Sequence, residues 1–190
     1  MTRRGGPIAV LAGLAVALVA SGCTSQGLSQ GDLTPSGAGQ VTEYSVAQSR
    51  SPVKFSTSLL DGSKRTAEDY RGKVLVVNFW YASCPPCRAE ANDLQKLSVE
   101  NASTSTFLGV DVRDDDQTAA AFLRTFKVRY DTVSDVETGA VQLAFAGTRG
   151  PNATPTTIVV DPRGRVSARI LGGIDPSTLR SLIKTAATRT

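Results

Sequence analysis

Cys84 and Cys87 stand two residues apart in "NFWYASCPPCRAE", between an apolar run and the start of a helical pattern. Thiols at that spacing can supply half of a metal site, form a structural staple, or work as a redox dithiol. A structural zinc site needs four ligands, usually Cys and His. The chain has no histidine and one further cysteine, Cys23, so no metal-ligating set is assigned. The same lack removes Cys–His nucleophilic catalysis, and haem attachment through Cys-x-x-Cys-His fails because Arg88 follows Cys87. A staple stabilises most when it closes a long loop, and a bridge around two residues constrains the unfolded chain very little. The spacing suits a bond that opens and closes. A thiolate at a helix N-terminus is favoured by the macrodipole and by nearby N–H donors. Cys84, at the junction of strand and helix, is therefore expected to be the exposed nucleophile. Cys87, one turn further in, is expected to resolve the mixed disulfide.

The flanking sequence predicts the elements that hold this pair. "KVLVVNFWYA" is a continuous apolar run of strand length, suited to a central strand buried on both faces. Pro85 and Pro86 are tolerable in a first helical turn, and Ala91, Leu94 and Leu97 follow at helical spacing. Before this, "SPVKFSTSLLDGSKRT" predicts a hairpin around Asp61-Gly62 and "AEDYRGK" a helical turn ended by Gly72. After it, "TFLGVDV" predicts a strand, "DDDQTAAAFLRTF" a helix and "TGAVQLAF" a short helix. "TTIVVD" and "RVSARILG" predict a hairpin, and Asp175-Pro176 cap a final helix. Early βαβ units and a late hairpin imply an α/β chain with a mixed β-sheet, covered by helices on both faces, behind an N-terminal hairpin. That order alone fits several folds.

With 190 residues, 41% of them hydrophobic and 20% charged, the chain can bury one domain's core and carry a tail. Arg3 and Arg4, an apolar stretch from Pro7 to Ala20 and the small residues Ser21 and Gly22 read as a secretory signal over residues 1–22. "ASGC" resembles a bacterial lipobox, with Ala20 where leucine is usual, and implies lipidation of Cys23 and a tether to the outer face of the cell membrane. Without lipidation the domain would be secreted. A twin-arginine signal is the weaker option, since Gly-Gly-Pro follows Arg3-Arg4. Removing 1–22 takes away two arginines and no acid, bringing the formal charge from +4 to +2. Basicity therefore gives no argument for nucleic acid, and no Lys/Arg cluster with interleaved aromatics occurs. Residues 23–50, rich in Ser, Gly, Gln and Thr, read as a flexible linker, with the domain over 51–190.

"VVNFWYASCPPCRAE" resembles the active-site segment of the TlpA/ResA-like branch of the thioredoxin superfamily, the extracytoplasmic thiol-disulfide oxidoreductases. "DGSKRTAEDYRGKVLVVNFW", "LGVDVRDD", "AFLRTFKV" and "ATPTTIVVDPRGRVSARILGG" extend the resemblance over roughly 51–187. It implies a thioredoxin-like fold with an N-terminal β-hairpin extension and protein thiol or disulfide substrates; the dithiol chemistry requires no bound cofactor, and a monomer is the default expectation. The resemblance also implies a cis-proline opposite the dithiol, preceded by a substrate-pairing residue. "ATPTT" makes these Pro155 and Thr154; Pro151 is the competing proline, and direct junction to "TTIVVD" favours Pro155. Thioredoxins themselves carry a buried Asp six residues before the first cysteine, where this chain has Asn78. The resemblance gives proton transfer to Glu90 instead, although one-turn spacing from Cys87 equally suits a solvated helix acid. Trp80, Tyr81, Pro85 and Pro86 are expected to shape the surface beside Cys84, with packing the other reading of Trp80 and Tyr81.

The redox direction is read from the residues between the cysteines. Pro85 and Pro86 have no N–H, so two potential donors to the Cys84 thiolate are missing. Strong oxidants stabilise that thiolate heavily. The expectation is a disulfide reductase recharged by an unidentified membrane electron donor, with Arg88 offsetting part of the effect. The resemblance adds apocytochrome c as a substrate class. An oxidase or isomerase on the same scaffold is the runner-up, and a non-catalytic lipoprotein that binds a partner is the reading from another class. Thiol peroxidase chemistry lacks its Pro-x-x-x-Thr-x-x-Cys context.

Overall fold

The structure is a computed structural model that describes residues 39–147 and 150–189. Its elements are β1 Gln40–Glu43, β2 Ser56–Ser58, β3 Lys64–Thr66, a 3-10 turn Ala67–Tyr70, β4 Val74–Trp80, α1 Pro85–Glu100, β5 Ser105–Asp111, α2 Asp116–Phe126, β6 Asp131–Ser134, α3 Ala140–Ala144, β7 Thr156–Val160, β8 Val166–Leu171 and α4 Pro176–Ala187. Six strands form one sheet in the order β1-β8-β7-β4-β5-β6, and β2 and β3 form a separate hairpin. β4 pairs parallel with β5 and antiparallel with β7, so the sheet is mixed and β4 sits inside it. Every residue of β4 is buried, as its apolar run, broken only by Asn78, leads one to expect.

Period-two alternation along β4 divides the core. Leu75, Val77 and Phe79 face a layer containing Phe55, Tyr70, Val141 and Phe145. Val74 and Val76 face the opposite layer, filled by Leu94 and Leu97 of α1 and by Leu179, Leu182 and Ile183 of α4. Each such side chain contributes about 1.5–3 kcal/mol by leaving water, so both ends of β4 are anchored by packing. The expected mixed sheet with helices on both faces is present, as is the hairpin, with Gly62 at φ +83° in its turn.

Two strands depart from the sequence reading. β1 lies within the stretch read as linker and pairs antiparallel with β8, so the folded part begins before Ser51. Its mostly polar sequence gives no burial signal because it is an edge strand with mostly exposed side chains. Gly39 opens it: a Cβ there would run into the Leu171 carbonyl oxygen. β6, "DTVS", was not anticipated; four residues are too few to display a period, and pairing with β5 defines it. The leader and Cys23 lie outside the described residues.

Candidate active site

α1 begins where β4 ends, and Cys84 is its N-cap, in extended backbone. Pro85 and Pro86 take the first helical positions, where a missing N–H costs nothing. Cys84 and Cys87 are joined in a disulfide with Cα atoms 5.3 Å apart. The Cys87 N–H donates to Cys84 Sγ at 3.2 Å, which places the sulfur over the helix N-terminus.

The expected exposure of Cys84 is not what the fold provides. Cys84 is 1% exposed and Cys87 2% exposed, packed with Trp80, Ala91, Ala119 and Phe122. The outward positions at this tip are Ser83, Pro85 and Pro86. Packing against Ala119 and Phe122 of α2 turns both cysteines inward. Trp80 also departs from its expected place on the surface: it is 3% exposed and stacks on Phe122 with ring centroids 4.2 Å apart. It packs in the cluster that holds the dithiol. Tyr81 is half-buried with the Arg113 guanidinium 4.7 Å over its ring. Arg88 reaches the Ala82 carbonyl at 3.2 Å and lies 5.1 Å over Phe126, so its charge is committed to this framework.

Glu90 is buried, 4% exposed, which discards the reading of a solvated helix acid. Its Oε1 accepts from Asn78 Nδ2 at 2.8 Å and its Oε2 from the Ile174 N–H at 2.8 Å. Asn78 also donates to Thr157 Oγ1 at 3.1 Å, its register partner on β7. Burial pushes the Glu90 carboxyl up to about 7, while the Ile174 and Asn78 hydrogen bonds pull it back. Burial, with Glu90 adding to it, also pushes the Tyr130 hydroxyl up. A carboxyl that ionises near neutrality, one turn beyond Cys87, can give or take a proton there.

The bond between Thr154 and Pro155 is cis, the one such bond among the described residues. Thr156 pairs with Phe79, so Pro155 lies one residue beyond, at the end of β4 that leads into Cys84. The Pro155 carbonyl accepts from the Gly172 N–H at 2.9 Å, and Thr154 makes no backbone hydrogen bond among the described residues. Sequence reasoning missed a second buried acid at this end of the sheet. Asp111, 0% exposed and paired with Trp80 in the register, has its carboxyl pushed up to about 6 by burial. Asp111 falls in "TFLGVDV", read as a strand, but nothing in that segment singled out its acid, whose burial the fold reveals.

The family model described as Redoxin matches residues 32–183. A thiol:disulfide interchange protein DsbE from Haemophilus influenzae is 28% identical over 134 residues, 70% of this chain and 70% of that protein. A thiol-disulfide oxidoreductase ResA from Geobacillus thermodenitrificans is 30% identical over 128 residues, 67% of this chain and 71% of that protein. Among solved structures, a secreted thiol-disulfide isomerase from Corynebacterium glutamicum superposes with TM-score 0.66 at 25% identity, covering 76% of this chain and 92% of that one.

Proposed function

We propose, because this chain belongs to the Redoxin family and is a thiol-disulfide oxidoreductase of the ResA and DsbE kind with a thioredoxin-like fold, that it reduces protein disulfides outside the cytoplasm. The observation that carries this reading is the surroundings of Cys84 Sγ, which receives the Cys87 N–H while Pro85 and Pro86 offer none. A thiolate with so few donors is held weakly, and a dithiol that is not strongly favoured in its reduced form gives its electrons away readily.

Cys84 as thiolate attacks one sulfur of a substrate disulfide. That bond breaks, and the departing sulfur leaves as a thiolate and takes a proton. Cys87 then loses its proton towards Glu90 and attacks the Cys84 sulfur. The mixed disulfide breaks, the Cys84–Cys87 disulfide forms, and the second substrate sulfur leaves reduced. The substrate has gained two electrons and the enzyme has lost two, to be restored by a membrane electron donor. Asn78 and Ile174 hold Glu90 for the proton step. Thr154, with its backbone uncommitted, offers the substrate chain a strand-like partner beside Pro155. Pro85, Pro86 and Tyr81 form the surface that the substrate meets.

The leader, residues 1–22, and lipidation of Cys23 would place this chemistry at the outer face of the cell membrane, and apocytochrome c is the substrate class we favour. Among the described residues no helix is long and apolar enough to cross a membrane. An oxidase or isomerase role is the second reading, since the Corynebacterium glutamicum structure is named an isomerase. In a Cys87→Ser variant the mixed disulfide on Cys84 should accumulate, visible as a higher-mass species that dithiothreitol removes. Cys84→Ser should form none; adducts that persist without Cys84 would sink the assignment.

A further inference from the structure

The four residues between β4 and α1, Tyr81 to Cys84, are gripped from two sides at a single residue, Ala82. The Ala82 N–H donates to Asp114 Oδ2, from the loop between β5 and α2. The Ala82 carbonyl accepts from Arg88 Nη1 at 3.2 Å, from the first turn of α1. We propose that Asp114 and Arg88 are positioning residues that clamp the backbone of Ala82 on both sides and so hold Cys84 at the N-terminus of α1. This rests on Cys84 being the reacting thiol, as set out above.

Both arms of the clamp are themselves fixed. Asp111 Oδ1 accepts from the Arg113 and Asp114 N–H groups at 3.0 and 3.1 Å, shaping the loop that presents Asp114. The Val112 N–H donates to the Trp80 carbonyl at 3.0 Å, which ties the same loop to the end of β4. The Arg88 guanidinium sits 5.1 Å over the Phe126 ring of α2, so it reaches Ala82 from that side. From Ala82 the constraint passes to the dithiol through two backbone bonds, Cys84 N–H to the Tyr81 carbonyl at 3.2 Å and Arg88 N–H to the Cys84 carbonyl at 3.1 Å.

The clamp matters because the thiolate has so little else. Helix-terminal stabilisation falls off within one turn and depends on where the sulfur sits. With Pro85 and Pro86 lacking donors, the Cys87 N–H has no substitute if Cys84 swings away. Releasing Ala82 should therefore lower the thiolate fraction of Cys84 even though the fold is intact.

Asp114→Ala and Asp114→Asn separate the hydrogen bond from the charge, since both remove the carboxylate and only Asn can accept from Ala82. The rate of alkylation of Cys84 in the reduced full-length protein would be followed by mass spectrometry of its peptide against pH, with thermal melts alongside. We expect Asp114→Asn to react at pH 7 at least as fast as the wild type, and Asp114→Ala to be slower than Asp114→Asn by about threefold or more, its pH profile displaced upward. Equal rates in the two variants would overturn the clamp. Should Asp114→Ala not fold, the wild-type Ala82 amide decides: as a donor to Asp114 it should exchange with solvent deuterium about tenfold or more slower than an unprotected amide, and unprotected exchange would overturn the proposal. Alkylation needs no turnover of a protein disulfide. A wild type that alkylates as expected but reduces no protein disulfide would therefore count against the reductase reading and leave the clamp standing.

Discussion

Glu90→Gln isolates the consequence of burying an acid behind the dithiol. Gln can keep the local hydrogen bonds: its oxygen accepts from Ile174, and its amide donates to Asn78 once the Asn78 amide turns over. Thr157 then donates to Asn78 instead of accepting from it. The variant should fold, and what it loses is the charge. Glu90 ionises at about 7 in the folded chain against 4.5 when unfolded. Over that interval the folded state holds the proton that the unfolded state has lost, so wild-type stability falls as pH rises from about 4.5 to about 7 and is then level. At about 1.4 kcal/mol for each factor of ten, the fall attributable to Glu90 is about 3 kcal/mol. Asp111, also pushed up by burial, contributes a similar slope in both proteins and cancels in their difference. Urea unfolding of the disulfide form from pH 4.5 to 8.5 would measure that difference. Glu90→Gln should gain on the wild type by about 3 kcal/mol across the range, most of it below pH 7. A difference constant to within about 0.5 kcal/mol would refute the claim that Glu90 titrates from a buried site.

Leu94→Ala, at a fully buried α1 position in the layer with Val76 and Leu179, should cost about 2–5 kcal/mol in urea unfolding. Asp175→Ala removes the carboxylate that accepts from the Thr178 N–H at 2.8 Å at the start of α4 and should cost about 1 kcal/mol. Because that carboxyl is held below its usual range by Ser177 and Thr178, the cost should be present at neutral pH and diminish as acid protonates Asp175 in the wild type.

The centre of this fold is written in the sequence and its margins are not. β4 is buried along its full length and its composition is apolar apart from Asn78. The dithiol at its end was likewise legible, because Cys-x-x-Cys between a strand and a proline-initiated helix has few other uses. β1 and β6 take their conformation from hydrogen bonding to β8 and β5, which no local pattern encodes. Glu90 shows the same division within one residue. Its place one turn beyond Cys87 could be counted, whereas its burial depends on Ile174, a backbone partner 84 residues away. Trp80 and Cys84 are turned inward by packing against α2, a contact that the spacing of neither residue reveals.

The reduction potential of the Cys84–Cys87 pair tests the central claim, that this dithiol donates electrons, more directly than any variant does. Equilibration of the protein with a glutathione or dithiothreitol redox buffer would give it. With one backbone N–H on Cys84 Sγ and two prolines in place of further donors, we expect a value near that of thioredoxin, about −270 mV. A value near about −120 mV, where DsbA lies, would mean a strongly stabilised reduced form and would contradict the reductase reading.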